Sequence, residues 1–508
     1  MEIKEVIRLN KYESTFYLIG WSGAVFYSIY HVHLMHTYFI DYHDSYHDFS
    51  PGWSWIGGKR DTSDEEWTTW IPFMFKLIPW IIIHLFVGQI IKYLFNNMVL
   101  CCWYIAVSLI FLWQYVGILG TLCILILPCI SCLLTALRSK VVSWIVHLSC
   151  LAVIYLTKTS ESIGQAWLSL DEEKYYMLII AICWIQLRSI SYSIDSIVEY
   201  KHKNILSFLK ELVQNAAYCL YLPTLFLGPL ILYGEFMQGV KVPYRQWSVG
   251  RLCTIIFNLT RYIFWLFFTE FTMHFMYFNA LQFHPEIVEQ MNPWAFYGLG
   301  YCMGQYFHLK YVVIYGFWGE IARIEDVAAP PPPKCIGRIH LYSDMWKHFD
   351  RGLYKFLVRY IYIPVSGMKS PMRKLLASFL CFGFVFLWHG MQTFIFIWSF
   401  LNFLGLTVEG IAKTIGKYKR YIRIERKYLS ERNIRRFHCA LASPLLAMSA
   451  ISNFYFFAGQ DIGNAFIYRI FHDSWNITLL VLFILYCCCQ VSTDRKNTEI
   501  LKSQYKEN

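Results

Sequence analysis

The chain has 508 residues, 56% hydrophobic and 19% aromatic, with only 16% charged, where soluble proteins run near about 25%. Apolar runs recur along its whole length, which excludes a string of soluble domains and points to one polytopic membrane domain. Lys and Arg outnumber Asp and Glu by 45 to 34. On such a chain that excess marks cytoplasmic loops rather than nucleic-acid binding, and no basic nucleic-acid fold signature accompanies it.

Lys4, Arg8 and Lys11 precede an apolar stretch from Phe16 to Tyr30 that no small-residue cleavage site closes, so the first span reads as uncleaved. A polar stretch, 33–70, follows with His33, His36, His43, His47, Asp41, Asp44 and Asp48. It reads as a solvated surface loop, with a metal site as the competing reading. Apolar segments fall near 14–32, 71–91, 97–117, 119–137, 141–157, 175–194, 216–233, 252–280, 294–316, 375–391, 392–412, 438–458 and 475–491. Pro128 interrupts one of them, and Pro223, Gly228 and Pro229 break another. Broken segments of that kind are expected to be re-entrant, with protein or water around them. About ten to twelve true crossings are expected from these lengths, so the fold class is an all-α polytopic membrane protein.

A single domain over 1–508 is expected: 1–70 a first span and polar loop, 71–316 a helical bundle, 317–374 a Pro-rich connector and amphipathic region, 375–492 the last spans with a basic loop at 413–437, and 493–508 a polar tail. Most of the 16 cysteines lie in apolar runs and read as packing residues. Cys129 and Cys132 have a metal-like spacing, but no second ligand pair follows them. The sequon Asn476-Ile-Thr478 sits beside a span.

Within 317–374, Ala328 to Pro333 forms a stiff polyproline connector. From Trp346 to Tyr360 the pattern predicts one amphipathic helix at a membrane surface. Trp346, Phe349, Leu353, Phe356, Leu357 and Tyr360 form one stripe, and Lys347, Arg351, Lys355 and Arg359 another. Asp350 falls on the apolar side, where a carboxylate is either paired with Lys347 or Arg351 or functional. The stretch 413–437 carries ten Lys and Arg against two acids. It reads as a positive-inside loop, as a phosphate-binding surface for a CoA-type donor, or as both.

His389 lies in Ser378 to Ser399, a run of 22 residues without a formal charge. An imidazole there is costly to leave in hydrocarbon, so it faces protein, water or substrate. It is either a helix-packing histidine or a general acid/base placed inside the membrane.

Trp346-Lys-His-Phe-Asp350, then Arg359-Tyr-Ile-Tyr-Ile-Pro364, then Trp388-His-Gly390 in an apolar span resemble the membrane-bound O-acyltransferases. Further blocks resemble the Hedgehog acyltransferase branch of that family: Asp61 to Trp70, Gly228 to Phe236, Leu401 to Glu409 and Arg435 to Ser443. The resemblance implies a bundle of the family's type with re-entrant segments and amphipathic surface helices. It implies transfer of palmitate from palmitoyl-CoA to the N-terminal cysteine of a secreted Hedgehog signalling protein in the endoplasmic reticulum membrane. It implies His389 and Asp350 as the catalytic pair, Trp346 and Asn453 as substrate-binding residues, and Cys335 as the ligand of a haem iron. Met391 stands where a second glycine follows the Trp-His-Gly of vertebrate relatives, and Pro330 to Pro333 lengthen the run before Cys335. The competing classes are an acyltransferase for another secreted-protein or lipid acceptor, and a transporter or scaffold without catalysis. A transporter favours paired half-sequence repeats, and none is apparent here.

Overall fold

Where water is absent, an apolar run satisfies its own backbone only as a helix, and this chain is helical almost throughout. The computed structural model describes residues 7–42, 48–198, 205–367 and 370–507. Its helices are, in order, α1 (Lys11–Tyr42), α2 (Glu65–Leu94), α3 (Asn97–Ala136), α4 (Lys140–Thr159), α5 (Glu161–Leu168), α6 (Glu172–Val198), α7 (Ile205–Cys219), α8 (Tyr233–Lys241), α9 (Val249–Thr272), α10 (Phe278–Leu281), α11 (Pro285–Gln290), α12 (Pro293–Ile324), α13 (Tyr342–His348), α14 (Arg351–Leu357), α15 (Ile363–Ser366), α16 (Pro371–His389), α17 (Thr393–Ile415), α18 (Lys419–Tyr428), α19 (Glu431–His472) and α20 (Trp475–Glu507). Strands β1 (Phe49–Pro51) and β2 (Lys59–Asp61) pair antiparallel between α1 and α2. Among the described residues, nine helices are long and apolar enough to cross a membrane: α2, α3, α4, α6, α9, α16, α17, α19 and α20. The fold is the expected all-α polytopic bundle. α12 runs buried through it, packed on α1, α9 and α19.

Two of these helices are too long to be single straight spans. α3 has 40 residues and α19 has 42, about 60 Å each at 1.5 Å per residue, against a hydrocarbon core of about 30 Å. Each turns at a glycine in the left-handed half of backbone space: Gly117 (φ 70°) and Gly459 (φ 82°). The first turn separates the two segments expected near 97–117 and 119–137. After the second, the chain folds back so that Phe466 stacks near Phe454 (4.1 Å) and Tyr455 donates to Asn464 (2.7 Å).

The segment broken by Pro223, Gly228 and Pro229 is not a span. Residues 220–232 run non-helically, apart from one short turn, and every one of them is buried. Their backbone is satisfied from neighbouring helices, as a dry environment requires. Arg188 of α6 donates to Cys219 O (3.0 Å), Thr224 Oγ1 (2.8 Å) and Thr224 O. Ser108 caps Leu220 O (2.6 Å), and Tyr218 donates to Ile231 O (2.7 Å). A second polar knot closes the end of α12. Glu325 accepts from Tyr104 (3.0 Å) and Tyr221 and meets His84 Nε2 (3.0 Å), while Lys92 binds Glu325 O (3.1 Å) and Asp326 (2.9 Å).

Two expectations change. The polar stretch 33–70 is not simply a solvated loop. Asp61 is fully buried and accepts from the N–H groups of Ser63 (3.1 Å), Asn279 (2.9 Å) and Ala280 (3.1 Å). Burial pushes its carboxyl up to about 7 against those hydrogen bonds. His33 meets Phe275 O (2.9 Å), and Asp48 meets His284 (3.3 Å). His43, Asp44 and His47, with the side chains of His36 and Asp41, lie outside the described residues.

The single helix expected over 346–360 is instead broken at Phe349–Asp350. Asp350 is the N-cap of α14, its Oδ1 accepting from Leu353 N (2.8 Å). Aspartate is preferred in that role, so the residue ends one helix by starting the next. Gly352 then packs so tightly that a Cβ there would stand 2.3 Å from Leu230 O. A π-turn over Val358–Tyr362 precedes Pro364, which has no N–H with which to continue the ordinary helical ladder. Lys355 pairs with Glu235 and Arg359 with Asp195 (2.9 Å), so half of the cationic stripe faces protein acids rather than headgroups.

Candidate active site

α16 packs on α17, and the turn between them carries His389. It is the last residue of α16, and Gly390 (φ 114°) redirects the chain behind it. Aromatic edges wall the imidazole: Trp388 at 4.7 Å, Phe456 at 5.0 Å and Trp398 at 5.5 Å between centroids. Among the described residues, no hydrogen bond is formed by either ring nitrogen. That is not the arrangement of a packing histidine bonded to a neighbouring carbonyl.

Trp398 is the hub of this end of the site. Its Nε1 donates to Asn453 Oδ1 (3.2 Å), and Asn453 donates to Ser449 O (3.0 Å). One turn further along α17, Asn402 donates to Trp398 O (2.8 Å) and Ser452 Oγ (3.2 Å) while accepting from Trp346 Nε1 (3.0 Å). The Trp346 ring lies edge-on to Phe382 (4.8 Å) and 5.8 Å from Trp398. Asn402 is nearly fully buried, so both of its polar ends are occupied as burial demands.

Asp350 has a different set of partners. Its Oδ2 accepts from Tyr315 of α12 (3.1 Å), and its Oδ1 is held by the first turn of α14. Neither Lys347 nor Arg351 pairs with it among the described residues, so the carboxyl is not neutralised by its own cationic stripe. Burial raises its pKa above the ordinary carboxylate value, opposed by hydrogen bonds from Leu353 N–H, Tyr315 and Gly352 N–H. Tyr315 also meets Trp184 (6.3 Å), which meets Trp388 (5.8 Å). A continuous aromatic wall thus joins the carboxylate to the imidazole.

His389, Asp350, Trp346 and Asn453 all line one cavity of about 1120 Å³. Its lining includes Asp64, Glu65, Glu66 and Lys310, the lysine clasped between Asp64 (2.8 Å) and Glu66 (2.6 Å). It also includes Ile336, Gly337 and Cys488. The two groups come from different parts of the fold. Asp64 caps α2 just after the hairpin that follows α1, whereas the 336–338 turn is held by Ser492 (2.8 Å to Arg338 O), close to where α1 begins beside Arg436 and Asp494. Cys335 is partly exposed and sits just behind this lining, its Sγ 3.9 Å from the place a Cβ would take on Gly337. Of the five expected site residues, four share the cavity and Cys335 borders it. A cavity with apolar walls and a polar pair along it can hold a long acyl chain beside both side chains.

Tyr315, Trp398 and Asn402 were not singled out from the sequence. Asn402 left a signal, an amide one helical turn after Trp398 in an apolar helix. Tyr315 is one of 37 tyrosines and left none.

Residues 99–446 match the family model described as MBOAT, membrane-bound O-acyltransferase family. The chain is 30% identical over 452 residues to the protein-cysteine N-palmitoyltransferase Rasp of Drosophila melanogaster, covering 87% of each chain. It is 27% identical over 488 residues to the protein-cysteine N-palmitoyltransferase HHAT of Mus musculus, covering 93% of this chain and 95% of that one. It is 25% identical over 472 residues to the mouse HHAT-like protein.

Proposed function

From the chain's membership of the membrane-bound O-acyltransferase family, we propose that it transfers palmitate from palmitoyl-CoA to the N-terminal cysteine amine of secreted Hedgehog signalling proteins, in the membrane of the endoplasmic reticulum. The observation that carries this reading is the near full-length similarity to two protein-cysteine N-palmitoyltransferases, joined to an imidazole and a carboxylate on one passage. The ten Lys and Arg of 413–437 favour a cytosolic position for their end of the bundle. Palmitoyl-CoA then enters from that side and the secreted acceptor from the Asp64 side.

In this reading the amine nitrogen attacks the thioester carbonyl, a C–N bond forms and the C–S bond breaks. Asp350 takes the proton of the incoming ammonium, with Tyr315 and the α14 amides holding its carboxylate in place. His389 lies at the thioester, takes the second proton that the nitrogen sheds once the C–N bond has formed, and passes it to the departing CoA sulfur. Trp346 and Asn453, fixed through Asn402 and Trp398, hold the acyl end. Lipid solvates a sixteen-carbon chain as well as a protein channel does, so the passage contributes positioning rather than net affinity.

The acceptor test is direct. A peptide beginning with a free cysteine receives hydroxylamine-resistant palmitate, and the same peptide with an acetylated N-terminus receives none. Amide-linked acylation of the blocked peptide, or acylation of a serine or lipid acceptor in its place, ends the cysteine-amine reading.

Cys335, a free and partly exposed cysteine, would be the sulfur ligand of a haem iron. Among the described residues no three His, Cys, Asp or Glu are grouped to hold a metal ion. Cys335 would hold the iron beside the wall formed by Tyr301, Ile336 and Gly337, supplying a thiolate-ligated metal at the edge of the bundle. No acyl-transfer step passes through it. Purified protein is expected to show a thiolate-haem absorption band that Cys335→Ser removes without loss of a monodisperse profile. An unchanged band in that variant overturns the assignment.

A further inference from the structure

The link between α17 and α19 carries a surface that acyl transfer does not use, since none of residues 413–437 lines the cavity. α18 turns its polar inner side to the protein: Tyr421 donates to Glu425 (3.0 Å), and Glu425 pairs with His438 of α19 (2.7 Å). Its cations face outward. Lys419, Arg420, Arg423, Arg426 and Lys427 are exposed, and among the described residues none of them pairs with an acid. Of the nearby acids, Glu409 is engaged by Lys413 and Glu13 by Arg436 (2.6 Å), and Glu431 at the start of α19 is exposed without forming an ion pair among the described residues.

Large apolar side chains stand among these cations. Ile424 is 50% exposed and Tyr428, one turn on, is 73% exposed. The exposed apolar surfaces of both adjoining helices run up to the ends of α18, through Ile411 and Ile415 on α17 and Phe437 and Leu441 on α19. A helix standing free in water gains nothing by presenting Ile424 and Tyr428, and one sunk in hydrocarbon could not hold five cations without ion pairs. Their combination suits the boundary between acyl chains and headgroups. Arg420, Arg423 and Lys427 fall on one face at helical spacing, beside the ridge of Ile424 and Tyr428.

We propose that α18 is an interfacial binding surface for anionic phospholipid headgroups, with Ile424 and Tyr428 seated among the acyl chains and Arg420, Arg423 and Lys427 on the lipid phosphates. Cations beside an anionic leaflet are attracted within a Debye length, so the surface recruits lipid rather than soluble phosphate.

The full chain, reconstituted in nanodiscs of phosphatidylcholine with a minor share of phosphatidylinositol and then extracted in detergent, tests this by mass spectrometry of the lipid that stays bound. Several-fold enrichment of phosphatidylinositol over its bulk share is expected, unaffected by added inorganic phosphate. The Arg420→Gln/Arg423→Gln/Lys427→Gln variant is expected to fall to the bulk ratio. The charge-preserving Arg420→Lys/Arg423→Lys variant is expected to keep the enrichment, which separates loss of charge from loss of fold. Bulk-ratio retention by the unmodified protein, or undiminished enrichment in the neutralised variant, overturns the proposal. So does a raised KM for palmitoyl-CoA in the neutralised variant in discs of phosphatidylcholine alone, which would give the surface to the CoA phosphates.

Discussion

Replacing His389 with alanine is expected to bring transfer of a palmitoyl probe to a cysteine-initiated peptide down to background, a loss of about 10²- to 10⁴-fold. Unfolding would not be the cause. The imidazole makes no hydrogen bond among the described residues, and its neighbours Trp398 and Phe456 are themselves packed 4.3 Å apart, so the truncated site keeps its walls. Asp350 needs a finer probe, because the carboxylate both faces the cavity and caps α14. Asp350→Ala removes both roles and costs about 1 kcal/mol of stability for the lost cap. Asp350→Asn keeps a good capping oxygen and removes only the base. The two variants are therefore expected to be equally inactive while differing in thermal midpoint, with the asparagine form close to the unmodified protein. Retention of activity by His389→Ala or by Asp350→Asn, measured by peptide acylation in detergent, ends the assignment of that residue.

The residues that were legible in the sequence are those whose chemistry clashes with their surroundings. An imidazole in an uncharged apolar run, and a carboxylate on the apolar side of a cationic stripe, are conspicuous because burying either is costly. Both line the cavity. The broken segment 216–233 was legible for the same reason, since Pro223, Gly228 and Pro229 cannot sit in a lipid-facing helix without partners for the freed backbone. What supplies those partners was not legible. Arg188 reads in sequence as one cation near the end of an apolar run, and only the packing of α6 against 218–224 shows its guanidinium spread over four acceptor oxygens. Periodicity also misled at Asp350. The stripe from Trp346 to Tyr360 fits one helix, but a side chain able to bond its own downstream N–H competes with helix continuation, and here that local bond wins. Tyr315 and Trp398 were hidden because aromatic residues are so common in this chain that one more carries no information. Their roles come from which edge meets which ring, a property of the packed bundle and not of spacing.

The second large effect concerns stability. Glu325→Ala is expected to lower it by roughly 3–5 kcal/mol, the usual consequence of removing one member of a buried charged network. The side chains that meet at Glu325 have nowhere else to turn: His84 is 0% exposed, and Tyr104 and Tyr221 are each 1% exposed. His84 Nδ1 already lacks a partner among the described residues, so the ring cannot trade one bond for another. Without the carboxylate, two phenol hydroxyls and an imidazole nitrogen are left unpaired in a dry interior, each at a cost of about 1–3 kcal/mol before relaxation. Glu325→Gln keeps one acceptor oxygen but turns an N–H₂ donor toward hydroxyls that are themselves donors, so it recovers only part of the loss. A mutant cycle with Tyr221→Phe separates the network from mere packing. Removing the hydroxyl costs stability when Glu325 is present, and costs less, or nothing, once Glu325 is alanine, because the hydroxyl then has no acceptor to lose. Thermal unfolding in detergent reads both arms. If Glu325→Ala unfolds at the unmodified midpoint, or if the Tyr221→Phe cost is the same in both backgrounds, the carboxylate does not bind α2, α3 and the 220–232 segment together, and their association rests on apolar packing alone.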